Sequence, residues 1–292
     1  MLPELFRSLN SPLLPLPTDV EPQLRPLPEV RAIVFDIYGT LIISAAGDIS
    51  LAGGGSKKGA LIRQAIETEI DSTTPLSASN DLLEERFFDL IEQFQAKRCD
   101  EGITYPEVEI REIWRSLLQE NGLTDLDSQK VEQIAARYEC LTNPVWPMPQ
   151  LQEVLSKLAE NPQIQLGIVS NAQFYTLSMF PAFLNDQSFE TIGFDPALQV
   201  YSYRMLEGKP STALYKEIAQ TIATQDLSPA EVLFVGNDMR NDIWPASQVG
   251  MKTALFAGDQ RSLRLREDDP RVSDTVPDIV ITELSQLLDC LS

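Results

Sequence analysis

Five short apolar runs, Ala32–Phe35, Leu166–Val169, Val232–Val235, Thr253–Phe256 and Ile279–Ile281, constrain this chain more than any other feature. Such a run lacks the in-out alternation of a half-solvated strand and reads as a strand buried on both faces. Helical patterns lie between them at Leu151–Ala159, Thr212–Ala223 and Ile243–Val249. Strands alternating with helices specify an α/β fold, a doubly wound parallel sheet with helices on both faces. Ligands of such sheets bind at the carboxyl ends of the strands. The polar residues that follow each run are therefore the candidates for chemistry.

One stretch breaks the alternation. Leu61, Ile62, Ala65 and Ile66 recur at helical spacing, as do Leu83, Phe87, Leu90, Ile91 and Phe94. Ile110, Ile113, Trp114, Leu117 and Leu118 do the same, followed by Val131, Ile134, Ala135 and Tyr138. Four amphipathic helices imply a bundle over residues 45–148, inserted as a cap above the end of the first strand. The core is then expected over 31–44 and 149–292. Gly53-Gly54-Gly55-Ser56 reads as a hinge into the cap, and it lacks the Gly-Lys-Ser/Thr that a phosphate loop needs. Residues 1–30 hold seven prolines and read as an extended arm packed over the domain. Ser228-Pro229-Ala230-Glu231 imitates a capping box, but the apolar run that follows at once makes it a turn into a strand.

The charge balance narrows the partners. Against 23 Lys and Arg stand 43 Asp and Glu, a net charge of −20. Such a surface repels nucleic acid and anionic membranes, so neither is expected as a partner. An anionic substrate needs local cations, a metal or backbone N–H groups. The chain has no histidine, which excludes Ser-His-Asp and Cys-His catalysis and His-ligated zinc. Cys99, Cys140 and Cys290 have neither disulfide-framework nor metal-knuckle spacing. No apolar run approaches the roughly 20 residues of a membrane span, and the N-terminus has no signal-peptide pattern. A cytoplasmic location is expected, and the oligomeric state is not legible.

Four clusters sit where the sheet argument places ligands. Asp36-Ile37-Tyr38-Gly39-Thr40 leaves the first strand with a carboxylate, a turn glycine and a hydroxyl. Ser170 and Asn171 follow the second run with a hydroxyl and an amide. Glu207-Gly208-Lys209-Pro210 sets a lysine ahead of a helix, with Pro at its start. Gly236-Asn237-Asp238-Met239-Arg240-Asn241-Asp242 brings oxygen ligands after a further strand. Together they supply a nucleophile, anion contacts and ligands for a hard cation such as Mg²⁺.

These four clusters, in this order, resemble the motifs of the haloacid dehalogenase superfamily over roughly residues 31–288. The 134 positions between Asp36 and Ser170 fit members with a helical cap at that point. The resemblance implies that Asp36 forms a covalent aspartyl intermediate. It implies that Thr40 and Ser170 bind the transferring group and that Lys209 neutralises nucleophile and substrate oxygens. It also implies that Asn237, Asp238 and Asp242, with Asp36 and the backbone carbonyl of Tyr38, hold Mg²⁺. Two positions depart from the phosphatase pattern. Tyr38 stands where phosphatases carry the aspartate that protonates the leaving group, and true dehalogenases have a tyrosine there. Asn237 stands where many relatives have aspartate. The reading that follows is a Mg²⁺-dependent phosphohydrolase acting on a small phosphorylated metabolite. The alternatives are a 2-haloacid dehalogenase, for which Arg63 is the first arginine after the motif, and a weakly active or non-catalytic binding protein.

Overall fold

A computed structural model describes residues 2–46, 58–70 and 76–291 of the 292-residue chain. The Gly53–Ser56 hinge lies outside the described residues.

The chain opens with helix α1 (Leu2–Leu9), then runs extended to β1 (Ala32–Phe35) and β2 (Ile42–Ser44). Helices α2 (Lys58–Glu69), α3 (Asn80–Asp100), α4 (Ile110–Glu120) and α5 (Ser128–Thr142) follow, then β3 (Val145–Pro147), α6 (Leu151–Glu160) and β4 (Gln165–Ser170). Short helices α7 (Met179–Phe183) and α8 (Phe189–Ile192) lead to β5 (Phe194–Tyr201), α9 (Ser202–Met205) and α10 (Ala213–Ala223). The chain closes with β6 (Val232–Gly236), α11 (Trp244–Gln248), β7 (Lys252–Phe256), β8 (Ile279–Ile281) and α12 (Gln286–Cys290).

Six strands form one parallel sheet in the order β5-β4-β1-β6-β7-β8. All five apolar runs are strands of it. The order reverses beside β1, which creates the crevice where such sheets bind ligands. β1 shows why its run is unbroken. Ile33 and Phe35 join the apolar cluster on one face, and Ala32 and Val34 join the cluster on the other. Phe35 and Phe194 meet edge-on across the first face, while Tyr215 and Phe234 do so across the second.

Helices α2 to α5 pack against one another around Phe87, Trp114 and Tyr138, whose ring centroids are 4.9–5.5 Å apart. Their chain leaves and re-enters the core through an antiparallel ribbon, with Ile43 opposite Trp146. The ribbon, and β5 with it, give no apolar-run signal. β5 is an edge strand, and Asp195 and Pro196 interrupt its apolar sequence.

Two local expectations change, and a third, the turn into a strand at Ser228–Glu231, holds with its capping box added. Residues 2–9 are helical rather than extended, because Pro3 sits in the first turn, where its missing N–H leaves no bond unmade. Phe6 of that helix is fully buried and meets Tyr175. Pro210 lies three residues ahead of Ala213, so it does not start the helix after Lys209. Ser228–Glu231 does make its capping box, around a single 3₁₀ turn over Pro229–Glu231 that enters β6 directly. The arm's later part packs on the core as expected. Gln23 exchanges two backbone hydrogen bonds with Val280 and so covers the outer edge of β8. No helix among the described residues is long and apolar enough to cross a membrane.

Candidate active site

Asp36 is the first residue past β1, and its N–H still donates to Val235 of the neighbouring strand at 2.9 Å. This continued pairing carries the side chain out at the sheet's end, 5% exposed. Its Oδ1 accepts from Ser170 Oγ at 2.9 Å and from Lys209 Nζ at 2.6 Å. Its Oδ2 takes no hydrogen bond from the described residues. Lys209 Nζ also reaches Asp242 Oδ1 at 2.5 Å, so one ammonium bridges two carboxylates. Burial alone would pull the Lys209 ammonium down, but Asp242 and Asp36 more than offset it and hold the pKa above its ordinary value. Burial pushes the Asp242 carboxyl up against the pull of Lys209, with the charges of Asp36 and Asp238 adding to the rise.

Glycines make this arrangement possible. Gly39 has φ +83°, and a Cβ there would meet Ser262 at 2.5 Å. At Gly236, a Cβ would lie 2.5 Å from the Cγ of Asp242. Asp242 is fixed against that glycine by the N–H groups of Asn237 and Asp238, both 3.0 Å from its Oδ2.

The remaining motif residues divide into those that border the cavity and those that lie behind it. Asp36, Tyr38, Asn171, Lys209, Asn237, Asp238 and Asp242 border one cavity of about 760 Å³. Ser170 and Thr40 do not. Ser170 is engaged with Asp36, and Thr40 donates to Asn237 Oδ1 at 3.0 Å. Asn171 grips the main chain of Lys209, accepting its N–H at 2.8 Å. Asp238 caps the π-helical turn Met239–Ile243, accepting the N–H groups of Arg240 and Asn241, and pairs with Arg266 at 2.7 Å. Both of its oxygens are thereby engaged. The Tyr38 hydroxyl is hydrogen-bonded to Thr176 Oγ1 at 2.9 Å. Burial, with the charge of Glu139 adding, pushes the Tyr38 phenol well above its usual range, so it keeps its proton.

The donor set suits Mg²⁺ in one form. Among the described residues no three acidic, His or Cys side chains gather as a metal cluster. Mg²⁺ commonly takes one or two carboxylates and completes its shell with water and substrate phosphate. The unbonded Asp36 Oδ2, the Tyr38 carbonyl and the Asn237 amide oxygen meet that low-charge requirement.

The helices contribute the opposite wall through Phe87, Trp114, Tyr138 and Glu139, with Glu107 from the loop before α4. Sequence patterning does not find Glu107 or Glu139. Glu139 sits on the helix face that reads as core. Glu107 sits in a loop docked by the N–H of Gly208 on Tyr105 at 2.8 Å and by its own N–H on Leu206. Arg63 is elsewhere. Its guanidinium is tied to Asn80 and to the carbonyls of Leu76 and Ala78, outside this cavity.

The profile of a hydrolase family, haloacid dehalogenase-like hydrolase, matches residues 30–250. No curated protein matches the chain. Among solved structures, a 2-haloacid dehalogenase from Pseudomonas syringae is similar at 20% identity and TM-score 0.52, over 90% of this chain and 98% of its own. A HAD phosphatase from Thermococcus onnurineus is similar at 17% identity and TM-score 0.51, over the same shares. At these identities the likeness shows the fold and leaves the reaction open. With its parallel sheet and a family match over most of its length, this chain belongs to the haloacid dehalogenase-like hydrolases.

Proposed function

We propose that this hydrolase is a Mg²⁺-dependent phosphohydrolase acting on a small phosphorylated metabolite through an aspartyl-phosphate at Asp36. The observation that carries this reading is the bridge of Lys209 between Asp36 and Asp242, which leaves Asp36 Oδ2 unbonded at the cavity. Ser170 and Lys209 fix Oδ1, so the second oxygen is the one presented for attack on phosphorus. With both carboxylates ionised, Lys209 leaves the pair one negative charge in excess. A phosphate at 4 Å is then repelled by about 4 kcal/mol per charge pair at an effective dielectric near 20. Asp36, the Tyr38 carbonyl and Asn237, with Asp242 adjacent, are the residues that would hold Mg²⁺. When bound, the ion supplies charge stabilisation for the transferring phosphoryl oxygens. Asp238 keeps its part as the residue that shapes the loop. Thr40 orients the Asn237 amide, and Asn171 sets the main chain that aims Lys209.

A 2-haloacid dehalogenase is the second reading, favoured by Tyr38 at the position of the acid. Arg63, the arginine that reading draws on, is held within the helical layer instead. The test is hydrolysis of p-nitrophenyl phosphate with Mg²⁺ and with a chelator, beside halide release from 2-chloropropionate. Turnover of the phosphate ester that stops on chelation supports the phosphohydrolase. Chelator-indifferent halide release transfers the assignment to the dehalogenase.

A further inference from the structure

The sheet side of the cavity carries two cations that the reaction outlined above does not use. Arg240 and Arg264 both border it. Arg264 is rooted on the loop after β6 by two backbone hydrogen bonds, its N–H to Asn237 at 3.0 Å and its carbonyl from Met239 at 2.9 Å. Arg240 rises from the turn that Asp238 caps. Neither guanidinium lies within ion-pair distance of a carboxylate among the described residues. Arg264 donates only to the carbonyls of Arg261 and Leu263, and Arg240 to the Asn241 side chain. Arg271, on the same rim, is by contrast already held by Asp269, which feels Arg240 only at longer range. In a chain of charge −20, two guanidiniums outside any ion pair and beside a phosphate site are suited to a second anionic group.

The second observation concerns the leaving group. Tyr38 occupies the acid position and keeps its proton, with its hydroxyl already bonded to Thr176. The cavity's carboxyl groups outside the motifs, Glu107 and Glu139, are held on the helical side by Ser202, Val108, Asn143 and Tyr175, and neither is hydrogen-bonded to Asp36 or Tyr38 among the described residues. An alcohol needs a proton to leave. A carboxylate, with an acid pKa of about 4, or a phosphate, near 6, leaves as an anion at neutral pH.

Resting on the phosphohydrolase reading, we propose that the substrate is a phosphate anhydride whose second acidic group, phosphate or carboxylate, is held by Arg240 and Arg264. Asp36 Oδ2 forms the new bond to phosphorus. The anhydride P–O bond breaks, and its electron pair departs on the leaving oxygen with no proton added. Water then attacks the aspartyl-phosphate, breaks its P–O bond and releases phosphate and a proton to solvent.

The test measures kcat/KM with Mg²⁺ for inorganic pyrophosphate, acetyl phosphate, glycerol phosphate and p-nitrophenyl phosphate. The expected result is a preference of at least about 100-fold for one or both anhydrides over glycerol phosphate, the scale of a general acid's contribution. Which anhydride leads identifies the second group as phosphate or carboxylate. Arg264→Ala and Arg240→Ala are expected to lose at least about tenfold more on the preferred anhydride than on p-nitrophenyl phosphate, with Arg264→Lys recovering part of it. Glycerol phosphate turned over as fast as the anhydrides overturns the proposal, all the more if Glu107→Gln abolishes that activity. An equal loss on both substrates overturns it too, while the phosphohydrolase reading stands. If no phosphate compound is turned over, that reading fails, and calorimetry on Asp36→Asn decides the pocket. Pyrophosphate bound more tightly than phosphate, with the preference lost in Arg264→Ala, retains the anhydride pocket. No preference removes it.

Discussion

On the sheet side of the cavity, Asp36, Ser170, Lys209 and Asp242 are joined by three contacts of 2.5–2.9 Å, and the carboxylates face a buried ammonium. On the helical side, Glu139 is buried and Glu107 half-buried, with no cation paired to either among the described residues. Glu139 accepts from the Asn143 amide at 3.0 Å and the Tyr175 hydroxyl at 2.9 Å. Glu107 accepts from Ser202 at 3.0 Å and from the N–H of Val108 at 2.8 Å. Loss of solvent raises the pKa of both. One kind of group thus meets two surroundings across one cavity. The sheet side sets its carboxylates against an ammonium, and on the helical side burial raises the carboxyl groups with no cation beside them.

The largest expected effect breaks the sheet side at Asp36, the proposed nucleophile. Asp36→Asn preserves size and the acceptor for Ser170, yet should lower turnover by roughly 10³-fold or more, as removal of a covalent nucleophile does. Single-turnover kinetics on p-nitrophenyl phosphate check it, and retained turnover removes Asp36 from that role. Lys209→Met comes next. It leaves two buried carboxylates uncompensated, which should destabilise the fold by about 3–5 kcal/mol in urea unfolding. A far smaller loss means that the two carboxylates share a proton rather than depend on the ammonium.

Gly236→Ala tests the packing beneath the same pair. The new Cβ meets the Asp242 side chain, which cannot swing aside while three hydrogen bonds hold its carboxylate. An overpacking cost of about 1–3 kcal/mol is expected, read by the same unfolding curves. On the helical side the contrast lies within the layer: a Cβ on the turn glycines Gly102 or Gly122 would meet nothing within 4 Å, while one on Gly59 would run into the Asn80 carbonyl oxygen.

This asymmetry also explains what the sequence makes legible. Strands buried on both faces must be continuously apolar, so β1, β4, β6, β7 and β8 stand out, and the residues that follow them mark the sheet side. The fold class and the line of Asp36, Ser170 and Asp242 can be read for that reason, while Lys209, which comes after β5 and α9, is marked only by its place ahead of a helix and by the family resemblance. β5 cannot be read, because an edge strand tolerates Asp195 and Pro196. α1 hides in the proline-rich arm, since its one proline, Pro3, falls in the first turn, where a helix accepts it. Glu139 lies within an ordinary amphipathic stripe, and only docking of α5 against Tyr175 reveals a buried carboxyl. The same limit applies to Asp238. Its spacing is that of a metal ligand, while its neighbours, Arg266 and the N–H groups of Arg240 and Asn241, are set by loop geometry that no local pattern encodes.

The smallest expected effect sharpens the comparison from the helical side. The folded-state pKa of Glu139 is raised above its unfolded value by burial, partly opposed by Asn143 and Tyr175. A raised pKa means that the native state binds its proton more tightly than the unfolded chain. The stability tied to that proton is therefore fully present below the ordinary glutamate pKa and is lost as pH rises through the folded value. Glu139→Gln fixes the neutral form. Its amide oxygen can accept from Asn143 and its NH₂ can donate to the Tyr175 oxygen, so at acid pH the cost should stay within about 1 kcal/mol. As pH rises toward neutral, the variant should gain on the wild type, because it has no proton to lose. Melting temperatures of the two proteins across that range supply the measurement. Parallel curves would mean that Glu139 is charged in the folded protein, and the two sides of the cavity would then hold their carboxylates in the same state.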